Sequence, residues 1–165
     1  MSGMHSGSQT LFLCDPNLGK LAKWLRILGF DAEFMSHWDE DFMKQAIQSG
    51  RIVLTRKGTL SEKKGMVFIS HNHVQEQLQE LLAVLDLKGM KQPFTRCSLC
   101  YVILKKTTRD EVKGLIPDYV YASHDIFAIC PSCGRVYWKG THILRMYDML
   151  HLAEEGLNHD QTRVR

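Results

Sequence analysis

Short apolar runs alternate with longer segments of helical periodicity in the first half of the chain. Thr10–Cys14 is an apolar run that stops at Asp15, as expected of a buried strand that enters a turn. The next segment, 18–28, carries leucines at helical spacing and is followed by Gly29, a typical residue after a helix end. The same pattern predicts strands at 31–35, 51–55 and 65–69, a helix capped by Asp39 that ends near Ser49, and a helix capped by Asn72 that spans 73–85.

Four cysteines stand in two C-x-x-C pairs, Cys97 with Cys100 and Cys130 with Cys133. Each pair can place two thiolates on one ion, and two pairs complete the tetrahedral four-sulfur set that zinc prefers. A dithiol redox site and two disulfides are the alternatives, but a redox site needs only one pair, and disulfides need an oxidising compartment. The spacing therefore predicts a structural zinc ion with no open position for chemistry.

The chain divides into two regions of different pattern. Alternation of strand and helix up to residue 87 predicts an α/β domain with a mostly parallel sheet. Each C-x-x-C pair is followed by an apolar run, 101–104 and 135–138, like the strands that leave the knuckles of a zinc ribbon. The predicted organisation is a disordered leader at 1–9, an α/β domain at 10–90, a zinc-ribbon subdomain with a final helix near 142–152 at 91–155, and a frayed tail at 156–165.

Composition places the chain among ordinary globular proteins. Apolar residues make up 44% and charged residues 24% of the sequence, and the formal net charge is +3. The sequence has no run of 18 apolar residues and no signal-peptide pattern at its start, which predicts no membrane span and a reducing cytoplasm as the compartment. Cys14 stands in an apolar run and is predicted to be buried and inert. The weak net charge means that any argument for nucleic acid depends on where the basic residues lie.

Acidic side chains follow two of the predicted strands. Asp15 ends the first strand, and parallel α/β sheets bind their ligands at the carboxyl ends of the strands. Asp39, Glu40 and Asp41 start the second helix. If the two groups face each other, they could hold Mg²⁺ or Mn²⁺, which favour oxygen ligands. The alternatives are that Asp15 only forms a turn or cap, and that the acidic group only compensates the helix dipole.

Basic and imidazole side chains recur near the same predicted edge. Such charges suit phosphate contacts, although a solvated helix face is the commoner explanation of any one run. His71 and His73 form an H-x-H pair whose alternative is polar capping. The segment from Tyr137 to His142 could stack a base, or anchor the ribbon on the α/β domain. The candidate RNA contacts are Lys20, Lys23 and Arg26 on the first helix, Arg56 and Lys57 after the third strand with Lys63 and Lys64 beyond, and His142.

Taken together, the chain resembles the Mut7-C ribonuclease family over about residues 11–150. The resemblance is carried by the segments 12–15, 18–26, 28–31 and 50–56, and by the residues around the four cysteines, 94–97 and 133–142. It implies a PIN-like three-layer domain with a central, mostly parallel sheet, an appended zinc ribbon and a final helix. It also implies Mg²⁺- or Mn²⁺-dependent cleavage of RNA phosphodiesters, with single-stranded RNA as the partner. By motif, Asp15 is the first catalytic carboxylate, and Asp39 and Asp41 are the candidates for the others.

Two positions depart from the pattern that the resemblance implies. The family usually continues Leu-Thr-Arg with aspartate, and this chain has Lys57 there. A lysine repels a divalent ion and could take its place by pairing with Asp15. Tyr101 stands where the family tends to have asparagine.

Three functions of different class follow from these observations. The first is a metal-dependent ribonuclease that acts through Asp15 and the acidic group. The second is a catalytically impaired RNA-binding member, in which Lys57 joins the phosphate contacts. The third is a protein-interaction module that uses the ribbon. Lys57 distinguishes the first two.

Overall fold

A computed structural model describes residues 9–87, 94–140 and 148 of the chain. In the first of these regions strands and helices alternate, as the apolar pattern predicts. The strands are β1 (Leu11–Cys14), β2 (Asp31–Phe34), β3 (Arg51–Thr55) and β4 (Met66–Phe68), and the helices are α1 (Gly19–Ile27), α2 (Glu40–Gln48) and α3 (Val74–Leu85).

The four strands form one parallel sheet in the order β2-β1-β3-β4, between two layers of helix. Side chains alternate across the sheet because successive residues of a strand point to opposite faces. Phe12 and Cys14 pack with α1 and α3 on one face, whereas Leu13 packs with α2 on the other. This arrangement confirms the predicted three-layer α/β domain. Cys14 is fully buried, and burial raises the pKa of its thiol to about 12, which agrees with an inert core residue.

The predicted cap at the start of α2 and the predicted glycine after α1 are confirmed, whereas the predicted cap of α3 is wrong. The carboxylate of Asp39 accepts a hydrogen bond from the backbone N–H of Phe42 and so caps α2. Gly29 has φ of 93°, the left-handed conformation that favours glycine after a helix. Asn72 does not cap α3, which starts one residue later, after His73. The Asn72 side chain instead accepts a hydrogen bond from the guanidinium of Arg56 at 2.5 Å.

The second described region holds a small antiparallel sheet and two short helices. Its own apolar core contains Val112, Ile116, Val120 and Phe127. The predicted strand at 101–104 is reduced to a single bridge between Arg96 and Ile103. The elements are β5 (Lys105–Thr107), α4 (Arg109–Val112), α5 (Asp118–Ser123), β6 (Phe127–Ile129) and β7 (Val136–Trp138), with strand order β5-β6-β7.

Two buried arginines join the two regions. Arg26, on α1, donates hydrogen bonds to the carbonyl of Ala32 at 2.7 Å and to the carbonyls of Ser98 and Leu99 at 3.0 and 3.2 Å. Arg96 donates to the carbonyl of Gly29 at 3.0 Å. Arg26, a candidate RNA contact from the sequence, is therefore only 8% exposed, and its guanidinium ties the first helix to the first cysteine pair.

Several predictions fall outside the described residues. These are the leader at 1–9 apart from residue 9, the linker at 88–93, the tail at 156–165, and the final helix with His142, of which only residue 148 is described. The domain boundaries at 90 and 155 accordingly stay predictions. Within the described part of the chain, no helix combines the length and the apolar character that crossing a bilayer requires.

Candidate active site and metal centre

Asp15 lies at the carboxyl end of β1 and is completely buried. Its Oδ1 accepts a hydrogen bond from the N–H of Asn17 at 2.8 Å, which forms the turn into α1. Its Oδ2 accepts from the Thr55 hydroxyl at 3.0 Å and from the Arg56 N–H at 2.7 Å. A buried carboxylate needs such donors to offset its lost hydration. Asp15 thus forms the predicted turn and also fastens the end of β1 to the end of β3.

The sheet order places these residues at the point where the chain reverses its direction of winding. From β1 the chain moves to β2 on one side, and it then crosses back to β3 on the other. In open α/β sheets such a switch point leaves a crevice beyond the carboxyl ends of the two strands, where ligands bind. Asp15, which is fully buried, and the loop that starts at Arg56 both lie at this end of the sheet. The position supports a ligand-binding role, whatever the ligand.

Lys57 points its charge at an aromatic ring beside this crevice. Its Nζ lies 3.4 Å from the ring centroid of Trp38, a cation–π contact. Trp38 belongs to the loop after β2, so the contact joins the loops of the two strands that flank β1. The pairing of Lys57 with Asp15 is not observed in the described residues. The link is indirect, because the Thr55 hydroxyl accepts from the Lys57 N–H at 3.1 Å and donates to Asp15.

The three candidate catalytic carboxylates do not form one cluster. Asp39 caps α2, and Asp41 is 86% exposed with Lys44 at 3.9 Å. Among the described residues, the one group of three or more cysteine, histidine or acidic side chains whose ligand atoms all lie within 4.8 Å is made of the four cysteines. The residues at the sheet edge therefore do not present the clustered carboxylates that a divalent ion needs.

The candidate phosphate contacts separate into free and engaged cations. Lys20 and Lys23 are exposed, and Lys57 is exposed as well although its Nζ contacts the Trp38 ring. Arg56 is engaged: its guanidinium donates to the carbonyls of Ile69 and His71, each at 2.7 Å, besides its bond to Asn72. Arg56 and the buried Arg26 therefore stabilise the fold. The exposed lysines are therefore the cations that remain available to a polyanion.

His71 lies in the loop after β4, at the same edge of the sheet. Its Nδ1 is 2.8 Å from a carboxylate oxygen of Glu80 on α3, and Ser70 donates to that carboxylate through both its N–H and its hydroxyl. Burial alone would raise the pKa of Glu80, but these hydrogen bonds outweigh it and lower the pKa below its ordinary value. This network holds the loop on the helix, so His71 acts as a loop contact in the structure and not as part of a metal cluster.

The four cysteines could hold one metal ion, because their sulfur atoms all lie within 4.8 Å of one another. The Sγ atoms of Cys97 and Cys133 are 3.8 Å apart. A tetrahedron with metal–sulfur bonds of about 2.3 Å has sulfur–sulfur edges of about 3.8 Å. In each pair, the N–H of the second cysteine donates to the sulfur of the first at 3.4 Å. These residues fit a structural metal ion such as zinc, as the spacing predicts.

In both cysteine pairs, the residue that follows the second cysteine has a left-handed backbone conformation. Tyr101 after the first pair has φ of 50°, and Gly134 after the second has φ of 72°. Glycine and asparagine adopt this left-handed conformation at low cost, whereas tyrosine does not. The position therefore suits asparagine, the residue that the family resemblance implies there. The tyrosine ring lies 5.1 Å from the guanidinium of Arg26, which is a contact that asparagine would not make.

Tyr137 supports the first knuckle from β7. Its hydroxyl lies 3.0 Å from the sulfur of Cys97 and accepts from the N–H of Ser98 at 3.1 Å. Burial would raise the pKa of the Cys97 thiol, but the hydrogen bonds from Tyr137 and from the N–H groups of Cys100 and Leu99 outweigh it and lower the pKa to about 6. Burial and the contact with Cys97 raise the pKa of Tyr137 to about 12. A thiolate is the form that binds metal, so this contact favours a ligand.

Sequence reasoning missed three residues of these sites. Trp38 belongs to no motif. Its position directly before the acidic residues 39–41 is the signal that could have indicated a role for it. Thr55 stands inside the segment that carries the family resemblance, but its hydroxyl was given no role. Arg96 directly precedes the first cysteine, and only tertiary structure shows that it reaches Gly29.

A parallel α/β domain with a buried aspartate at the switch point of its sheet, together with a four-cysteine centre, defines the class of protein. The family model of the Mut7-C RNAse domain matches residues 10–150. The chain therefore belongs to the Mut7-C RNAse family, as the resemblance implies. No curated protein and no solved structure matches the chain.

Proposed function

We propose that this chain is an RNA-binding member of the Mut7-C RNAse family in which hydrolysis is impaired. The observation that carries the proposal is the position of Lys57, whose ammonium rests on Trp38 beside the crevice at the ends of β1 and β3. A fixed positive charge there repels a divalent ion and attracts a phosphate.

The available charges support a phosphate-binding edge. Lys57 lies at the crevice, and Lys20 and Lys23 extend along α1, which begins just after Asp15. The only carboxylate that the fold buries at this edge among the described residues, Asp15, is offset by three hydrogen-bond donors. Cations at a strand end contact the RNA backbone without reading its sequence, and a single strand can follow such a row.

The remaining parts of the proposal concern the second region and the compartment. Four thiolates that bind zinc stabilise the ribbon without chemistry of their own. A reducing cytoplasm keeps those thiols free for the metal. The proposed organisation is an α/β domain at 10–90 that carries the RNA-binding edge, with a zinc-ribbon subdomain at 91–155.

A metal-dependent ribonuclease is the second candidate, favoured by one observation. Asp15 lies at the switch point of the sheet, the position at which α/β proteins place ligands, and the family is one of ribonucleases. In this candidate Asp15 would hold Mg²⁺ or Mn²⁺ with Asp39 or Asp41 as further ligands. The separation of these carboxylates is the reason that we place it second.

One experiment separates the two candidates. Labelled single-stranded RNA is incubated with the wild-type chain in Mn²⁺ and in EDTA, and binding is measured in parallel over a range of salt concentrations. We expect binding that weakens steeply with salt and no Mn²⁺-dependent cleavage. Cleavage that requires Mn²⁺ and is lost in Asp15→Asn, but not in the exposed Asp118→Asn, would establish the ribonuclease instead. Thermal unfolding of Asp15→Asn is needed as a control, because an amide cannot accept all three hydrogen bonds that Asp15 accepts.

A further inference from the structure

A groove of about 640 Å³ lies between the end of α1 and the zinc-ribbon region. Lys23 and Ile27 of α1 line one part of it, and residues 133–138, from the last cysteine through β7, line another. The volume falls in the range of sites that hold small organic groups. The sheet-edge crevice is at the other end of α1, so the groove is separate from the site described above.

The charge of the groove favours an anion. Of its 14 lining residues three are basic and none is aspartate or glutamate, although Cys133, one of the four thiolates of the metal centre, is also among them. Arg96 is engaged with Gly29 and Tyr101, which leaves Lys23 and Arg135 as exposed cations. Neither of these two side chains has an ion pair or hydrogen bond with a described residue, so both are available to phosphate groups at the rim.

Most of the other lining residues are aromatic or apolar. Phe94 and Trp138 are half-buried in the groove, and Leu115 beside them is 62% exposed. The Trp138 side chain packs on the apolar core of the ribbon region, which restricts its motion. Tyr137 contributes its ring while its hydroxyl is fixed at Cys97. An aromatic surface that shares one groove with two free cations suits a base with its flanking phosphates.

We propose that this groove binds one unpaired nucleobase of a single-stranded RNA, with Lys23 and Arg135 on the adjacent phosphates. The inference rests on the proposed function and adds a second contact point to it. A nine-residue α-helix is about 13 Å long, so α1 spans the distance from the crevice to the groove. Lys20 and Lys23 follow each other along this helix, about 4.5 Å apart in rise. One RNA strand that runs along α1 would reach both sites.

Abasic substitution tests the groove directly. A labelled oligouridine of about ten nucleotides is compared by fluorescence anisotropy at low salt with oligomers that each lack one base. Stacking on an aromatic residue contributes about 1–3 kcal/mol per base, so removal of the base that occupies the groove should lower affinity by about tenfold. The phosphates are unchanged in this comparison, so an effect reports the base alone.

Two exposed variants that leave the core intact test the walls. Arg135→Glu and Leu115→Glu should each weaken RNA binding by about tenfold or more, and should abolish the effect of the abasic position. Lys113→Glu, an exposed lysine of the same region outside the groove, is the matched control for charge and should stay within about threefold of wild type. Zinc content is measured for all three, so that loss of the ribbon is recognised.

The outcomes separate this inference from the function on which it rests. Tight RNA binding with no abasic effect and no effect of either variant would contradict nucleobase binding in the groove and leave the proposed function intact. Absence of RNA binding at low salt would overturn both. A further outcome is that polyglutamate displaces RNA as well as unlabelled RNA does, with its binding equally weakened by Leu115→Glu. That result would identify the groove as a docking site for acidic protein segments and would contradict nucleobase binding.

Discussion

The ammonium of Lys57 lies 3.4 Å from the ring centroid of Trp38, and this contact bridges the two loops that flank the end of β1. Replacement of Lys57 by aspartate would exchange a positive for a negative charge at the crevice. Charges within about 4–6 Å change the energy of a neighbouring charged state by one to several kcal/mol. We therefore expect Lys57→Asp to raise Mn²⁺ affinity at least about tenfold and to create or increase Mn²⁺-dependent RNA cleavage.

Lys63→Asp is the control for this gain of function, because Lys63 is an exposed lysine further along the same loop. It carries the same change of net charge, but among the described residues the cation–π contact with Trp38 is made by Lys57. Mn²⁺ binding is measured by calorimetry and cleavage by electrophoresis of labelled RNA. Equal behaviour of the two variants would show that Lys57 does not control the site.

The guanidinium of Arg26 gives a prediction about stability. Arg26→Met removes hydrogen bonds to three carbonyls, those of Ala32, Ser98 and Leu99. Unpaired buried carbonyls and lost charged hydrogen bonds together should lower the free energy of unfolding by about 3 kcal/mol. Denaturant unfolding measures the change. Lys23→Met on the same helix is exposed and should change stability by less than about 0.5 kcal/mol; a similar loss in both variants would contradict a specific role for Arg26.

The pattern of apolar residues was enough to predict the α/β part of the fold. Strands such as β1 and β3 are short, apolar and bounded by turn residues, and the helices between them carry leucines on one face. Local signals of this kind need no tertiary information. The Asn72 cap was wrong because Arg56, a residue distant from it in sequence, uses the asparagine side chain.

The candidate sites show the same difference between local sequence signals and tertiary contacts. Four cysteines at fixed spacing predict a metal site because the chemistry resides in the residues themselves. The roles of Arg26 and Lys57 could not be predicted, since a basic residue on a helix or loop looks the same in sequence whether it faces solvent, a carbonyl or an aromatic ring. The packing of α1 on the first cysteine pair determines the role of Arg26, and the position of the Trp38 ring determines that of Lys57.

The cysteine centre should contain one zinc ion per chain. Cys130→Ser removes one of four ligands and should lower zinc content well below one, with loss of the ribbon structure, because metal binding and folding are coupled at such sites. Cys14→Ala is the control, since Cys14 is buried in the α/β core and should keep zinc at one per chain. Metal content by mass spectrometry tests both. A zinc-free preparation with an unchanged ribbon would contradict the assignment.

Glu80 gives a prediction about the dependence of stability on pH. Its folded-state pKa lies below its ordinary value because Ser70 and His71 donate hydrogen bonds to it, which outweighs the effect of burial. A group with a lowered pKa stabilises the fold at pH values above its unfolded pKa of about 4.3, and this contribution is lost as the pH falls through the lower folded value. Wild type should therefore be more stable than Glu80→Gln at neutral pH, and the difference should shrink below about pH 4. Urea unfolding at several pH values measures it, with the exposed Glu76→Gln as control. A difference that grows toward acid pH would show that the network does not depend on the charged carboxylate.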